Sequence, residues 1–261
     1  MHKTGKNLLK LVYRENLPIA DTIKYGEDLF DYLYPHMKGE DIALLLFETW
    51  SRRYVFEDFT HVKEGPYAGR YVNVDPSGFR KSKNQGPWPP QKDKHFSIFF
   101  FGSSTSFGYG VQDSETVSSY LQELFPRTGL KRVPFVYNFG RGHYYSTPER
   151  ILFEQLVAKG HVPDMAIFLD GLNEFFFYAD DGTAVSARLS GFCAEMCKGY
   201  ISGSCATGNN FIWCADIGQD ATQPLYVDLT HYSPRMSKML AQTICDLLRS
   251  QHLMPRDKPK K

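Results

Sequence analysis

The chain has 261 residues, 42% hydrophobic and 23% charged, which is enough to bury a full core without disulfide or metal staples. Its 30 basic and 29 acidic side chains leave a net charge of +1, which gives no electrostatic footprint for nucleic acid. The apolar run Ile42–Phe47 is too short to span a bilayer and the first residues lack a signal-peptide core, so the expectation is a soluble chain without a transmembrane segment. Such a chain is cytoplasmic by default, and periplasmic or secreted if a leader or anchor has been removed.

The first 94 residues read as an N-terminal, mostly helical extension packed on the main domain. Amphipathic patterns predict helices over Ile19–Leu33 and Asp41–Tyr54, with Asp21 and Asp41 as N-caps. A turn-rich passage follows, punctuated by Gly65-Pro66, Asp75-Pro76-Ser77-Gly78 and Gly86-Pro87-Trp88-Pro89-Pro90. Within it, Asp58-Phe59-Thr60-His61 precedes every strand signal and is read as surface helix or loop.

From residue 95 to 252, strand and helix signals alternate. Ser97–Phe101, Phe135–Asn138, Met165–Asp170 and Phe211–Cys214 have the aromatic and β-branched content of buried strands. Glu115–Phe125, Thr147–Ala158 and Pro234–Arg249 have helical periodicity, and Thr147-Pro148-Glu149 supplies a hydroxyl cap, a proline and an acid at a helix start. Strands separated by helices predict a parallel sheet with right-handed crossovers, and hence a three-layer α/β/α doubly wound domain. Residues 253–261 form a basic tail.

Such a sheet gathers chemistry at the carboxyl ends of its strands. Four polar groups fall there: Ser103/Ser104 after the first strand, Asn138-Phe139-Gly140-Arg141-Gly142-His143 after the second, Asp170-Gly171-Leu172-Asn173-Glu174 after the third, and Asp228-Leu229-Thr230-His231 before the last helix. Acyl transfer to water needs a nucleophile, a base with an orienting carboxylate, and donors for an oxyanion. A serine of the Ser103/Ser104 pair, with His231 and Asp228, supplies the first three, and Asn173 offers an amide donor. Each piece alone is weakly specific. A serine-rich turn after a strand more often serves structure or holds phosphate, and Asp-x-x-His occurs twice, at Asp58–His61 and Asp228–His231.

Taken in order, the four blocks resemble the SGNH (GDSL-type) hydrolase family. Gly102-Ser103-Ser104-Thr105 matches the first block, with Ser103 where the family often has Asp or Gly. Asn138 to Gly142 resembles the second, and Gly171-Leu172-Asn173-Glu174 the third, with Glu174 in place of Asp. Asp228-Leu229-Thr230-His231 matches the last. The resemblance spans about residues 95 to 250, and Val72–Arg80 looks like a lead-in found in some bacterial members. It implies a flavodoxin-like SGNH fold and a serine esterase with Ser104 as nucleophile, His231 as base and Asp228 as its orienter. The oxyanion hole it implies is formed by the Ser104 and Gly142 N–H groups and the Asn173 amide, with His143 as the alternative to Gly142. The implied substrate is a small-molecule, carbohydrate or lipid ester, with no metal and no cofactor.

The remaining chemistry-bearing residues leave alternatives open. His36, His95 and His161 lack metal-ligand spacing. Cys193, Cys197, Cys205 and Cys214 fit reduced thiols or disulfides about equally, with zinc a distant third, and Cys245 falls at an apolar helix position. Two other functions share this fold class: a flavodoxin-like phosphate or cofactor binder, and an SGNH-shaped protein that binds ligand or transfers acyl groups without hydrolysis.

Overall fold

The structure, a computed structural model, describes residues 24–126, 130–169, 173, 214, 217–218 and 220–255. The predicted cap Asp21, the body of the expected strand Phe211–Cys214, the cysteines Cys193, Cys197 and Cys205, and most of the third polar block lie outside the described residues. Cys214 and Cys245 are free thiols.

A 3-10 turn at Gly26–Asp28 leads into α1 (Leu29–Leu33), and α2 spans Gly39–Trp50. Ile42, Leu45 and Leu46 of α2 face inward at helical spacing, and the Thr49 hydroxyl donates to the Leu45 carbonyl at 2.8 Å. Lys38, not Asp41, is the N-cap. Asp41 lies in the first turn, where a carboxylate suits the helix dipole, and accepts the Tyr71 hydroxyl at 2.7 Å. The helix also stops at Trp50 rather than Tyr54. The Ser51 N–H and the Arg52 guanidinium take up carbonyls of its last turn, at Phe47, Glu48 and Thr49.

Beyond that stop, β1 (Tyr54–Glu57) and β2 (His61–Glu64) form an antiparallel hairpin pairing Tyr54 with Glu64 and Glu57 with His61. Asp58-Phe59-Thr60 is its turn, with Phe59 at φ 67°. The first Asp-x-x-His therefore sits on a hairpin, with its first three residues in the turn, which is the loop alternative and not the helix. A second hairpin joins β3 (Tyr67–Ala68) to β4 (Asn73–Val74).

β5 (His95–Gly102) is the centre of a three-stranded parallel sheet, between β6 (Val133–Asn138) and β7 (Met165–Leu169). Its side chains alternate between two cores. Ile98 and Phe100 face α4 (Val117–Leu124) and α6 (Pro234–Ser250), with Leu121, Leu240 and Ile244 in the same cluster. Phe99 and Phe101 face the other way, with Tyr137, Phe139 and Leu152 of α5 (Ser146–Ala158). Helices thus cover both faces of a mixed α/β fold.

The predicted helix Glu115–Phe125 divides into a 3-10 turn at Asp113–Glu115 and α4, because extended Thr116 caps α4 by accepting the Ser119 N–H at 3.2 Å. Helix α5 opens at Ser146 with Tyr145 as N-cap, which places Thr147 inside the first turn. Ser233 caps α6, with Pro234 in its first turn.

The N-terminal elements share a core with the sheet-edge loops. Leu33, Tyr34, Leu45, Val72 and Val74 cluster with Phe107, Tyr109 and Val227. Arg80 further ties the extension to the sheet, donating its N–H to the Asn138 carbonyl at 2.8 Å.

Candidate active site

β5 ends at Gly102, where the close approach of its neighbours leaves no room for a side chain. At φ +150° a Cβ there would run into the Ser106 side chain and come within 2.7 Å of the Leu169 carbonyl oxygen. The chain then enters a one-turn helix, α3 (Ser104–Phe107), which Gly108 closes in the left-handed conformation at φ 93°. Three of the four hydroxyls in this turn bond inward. Ser103 Oγ and Thr105 Oγ1 are 2.9 Å apart, and Ser106 Oγ donates to the Leu169 carbonyl at 3.3 Å. The fourth, Ser104, has a different partner.

Buried polar groups hold this turn from beneath. Arg80 is fully buried and donates to the Phe107 carbonyl at 3.0 Å, the Val111 carbonyl at 2.7 Å and Asp113 Oδ1 at 2.9 Å, with a further bond to the Gly108 carbonyl. Asn138 Nδ2 donates to the Ser106 carbonyl at 3.0 Å, while its Oδ1 accepts the Gly140 N–H at 2.9 Å. Gly140 permits this crossing: a Cβ on it would press on the backbone of Ser106 and Phe107.

The Ser104 hydroxyl meets His231, 127 positions along the chain, with Oγ to Nε2 at 2.9 Å. His231 lies on a tight loop closed by Val227 N–H to His231 O at 2.9 Å and Ser233 N–H to Leu225 O at 2.8 Å, immediately before α6. Within the loop, Asp228 Oδ2 is 2.7 Å from His231 Nδ1, and Asp228 Oδ1 accepts the Thr230 and His231 N–H groups, both at 2.8 Å. Burial works to raise the Asp228 pKa, but the bond to His231 and these two N–H donors outweigh it and hold the carboxyl below its ordinary 3.8. An ionised Asp228 fixes the proton on Nδ1 and leaves Nε2 to accept from Ser104.

The amide of Asn173 donates to the Tyr144 carbonyl at 2.6 Å, which joins the third polar block to the second, and its Nδ2 carries one more hydrogen. The Gly142 N–H is already given to Glu64 Oε1 at 3.3 Å. His143 adopts φ 64°, a conformation favouring glycine, and among the described residues its N–H has no acceptor. The Ser104 N–H stands at the start of α3, where no intrahelical acceptor exists.

Several residues around the pair carry no motif. The Tyr109 ring stacks on the His231 imidazole, centroids 5.3 Å apart and planes 19° apart, and Trp50 meets the same imidazole edge-on. The Tyr109 hydroxyl donates to Glu64 Oε1 at 2.6 Å and lies 2.6 Å from the Tyr54 hydroxyl. Glu64 Oε2 accepts Arg52 Nη2 at 3.2 Å. Burial and the Glu64 carboxylate push the Tyr109 phenol far above its ordinary pKa of 10.0, so it is a fixed donor. Sequence alone marks none of them, because Trp50, Arg52, Tyr54 and Glu64 belong to the extension and meet the sheet only in the folded state.

Among the described residues no group of three or more His, Cys, Asp or Glu side chains is arranged to hold a metal ion. None of their helices is long and apolar enough to cross a membrane. No family model matches the chain, and no curated protein matches it in sequence.

Proposed function

We propose that the protein is a serine ester hydrolase of SGNH type. The observation that carries this reading is the continuous chain Ser104 Oγ–His231 Nε2 and His231 Nδ1–Asp228 Oδ2, at 2.9 and 2.7 Å, set at the carboxyl end of the central parallel strand. His231 takes the Ser104 proton as the oxygen attacks an ester carbonyl, and Asp228 stabilises the imidazolium that forms. Collapse of the tetrahedral intermediate expels the alcohol, which receives that proton. Water, deprotonated by the same imidazole, then cleaves the acyl-serine and restores the Ser104 hydroxyl.

The donors suited to the tetrahedral oxyanion are the Ser104 N–H, the Asn173 amide and one N–H from the turn after β6. For that last donor the Glu64 bond of Gly142 favours His143. The inward bonding of Ser103, Thr105 and Ser106 favours a nucleophile turn over a phosphate cradle, which would need those hydroxyls directed at the ligand. Hydrolysis of p-nitrophenyl acetate by the wild type and its loss in Ser104→Ala test the reading; equal turnover by the two proteins would remove Ser104 from the reaction.

A further inference from the structure

We propose that Glu64 is a positioning residue of this active centre, holding the support of the imidazole and the oxyanion turn with a single carboxylate. The inference rests on the hydrolase reading above.

Glu64 ends β2, outside the α/β sheet, and is only 2% exposed. Its Oε1 accepts two donors from different loops. One is the Tyr109 hydroxyl at 2.6 Å, the other the Gly142 N–H at 3.3 Å. Tyr109 has one hydroxyl hydrogen and gives it to Glu64, so Tyr54 is the donor in the 2.6 Å bond between the two phenols. Oε2 is held by Arg52, which is anchored on the Glu48 and Thr49 carbonyls at the end of α2 and lies over the Phe107 and Tyr109 rings. The carboxylate is therefore fixed from one side and holds two separate loops on the other.

Both loops serve the reacting groups. The Tyr109 N–H bonds the Ser104 carbonyl at 3.1 Å while its ring lies flat on His231, so Tyr109 links nucleophile and base. The Gly142 bond ties down the turn that carries His143, whose N–H is the oxyanion donor proposed above. Glycine is required there by space: a Cβ on Gly142 would collide with the Tyr54 hydroxyl and stand 2.7 Å from the Tyr109 hydroxyl. A stack of fixed orientation limits rotation of the imidazole, and a fixed turn spares the oxyanion donors reorganisation during reaction.

A buried Arg–Glu pair is also found where it serves stability alone. The two roles differ in what they predict for kcat. Tyr109→Phe keeps the stacked ring and loses only the hydroxyl; Glu64→Gln keeps shape and one acceptor oxygen. Both are measured with p-nitrophenyl acetate and with a fluorophosphonate probe, and folding is checked by circular dichroism and thermal midpoint. In folded Tyr109→Phe, kcat and the labelling rate fall by about tenfold while KM stays within about twofold. Tyr109→Leu, lacking the ring, falls further. The double variant Glu64→Gln/Tyr109→Phe loses no more than the worse single, because the Tyr109 contact is one that Glu64→Gln already disturbs. Wild-type kcat in folded Tyr109→Phe and Glu64→Gln overturns the inference alone; a wild type that neither hydrolyses the ester nor labels overturns the hydrolase reading and this inference with it.

Discussion

Trp50 and His231 meet edge to face, ring centroids 5.3 Å apart and planes at 78°, although one closes a helix of the N-terminal extension and the other belongs to the loop before α6. The same indole meets Tyr109 edge-on at 5.0 Å, so the imidazole has one aromatic wall flat against it and another at its side. Trp50 is nonetheless 48% exposed, so the indole meets solvent as well as the imidazole.

Such a ring contact contributes about 0.5–1.5 kcal/mol beyond area burial. Trp50→Ala is therefore expected to lower kcat/KM for p-nitrophenyl acetate by about two- to tenfold. Trp50→Phe should recover most of the loss, since an edge remains available to the imidazole. Steady-state kinetics of the two variants beside the wild type give the comparison.

The two Asp-x-x-His sequences should separate cleanly. His61 lies on β2, paired with Glu57 across the hairpin, whereas His231 Nε2 is 2.9 Å from Ser104 Oγ. His61→Ala should hydrolyse the ester at close to the wild-type rate. His231→Ala should lose activity by about 10⁴-fold or more, as removal of a triad base does.

Arg80 is a stability residue with a functional address. It is fully buried, and its guanidinium serves Asp113 together with the carbonyls of Phe107, Gly108 and Val111. Arg80→Met strands these acceptors and is expected to cost about 3–5 kcal/mol in urea-induced unfolding. Loss of esterase activity should then accompany loss of fold rather than appear in a stable protein.

Acid stability follows from the depressed carboxyls. Burial would raise the Asp164 pKa, but its bonds to the Arg132 guanidinium and the Ser97 N–H hold it below its ordinary 3.8. Glu57 is likewise held below its ordinary 4.5, burial being outweighed by Arg141, Thr60 and Lys63. A depressed folded-state pKa contributes stability in full above the unfolded-state value, and that contribution is lost as pH falls through the folded-state one. Unfolding free energy should thus lose none of these contributions from neutral pH to about 5 and should decline below about 4. Asp164→Asn should lie below the wild type at neutral pH, with the gap narrowing as pH falls below 4, in a urea series at each pH.

The sheet was legible because its strands carry their own signal: the Ile98–Phe101 run has no polar interruption, as a strand buried on both faces requires. Asp228 and His231 were legible because three residues of loop set their geometry. The hairpin β1–β2 was not. Tyr54, Val55 and Phe56 are all exposed, so no in-out alternation marks the strand, and their apolar character extends the helical pattern of α2. Glu64 and Arg52 were equally silent, since a charged side chain reads as solvated until folding brings its partners together. The bond that engages the Gly142 N–H, and so bears on the proposed choice between Gly142 and His143, involves the same buried carboxylate. The hydrogen bond of Gly142 to Glu64 crosses 78 positions of sequence, beyond any local pattern.

The central claim is that Ser104 is a nucleophile made reactive by His231. Its most direct test is labelling of the folded protein with a fluorophosphonate, followed by peptide mapping of the adduct. The prediction is a single phosphonylated site at Ser104, formed in the wild type and abolished in His231→Ala. A folded protein that takes up no probe, or an adduct on Ser103 or Ser106 in its place, would contradict it.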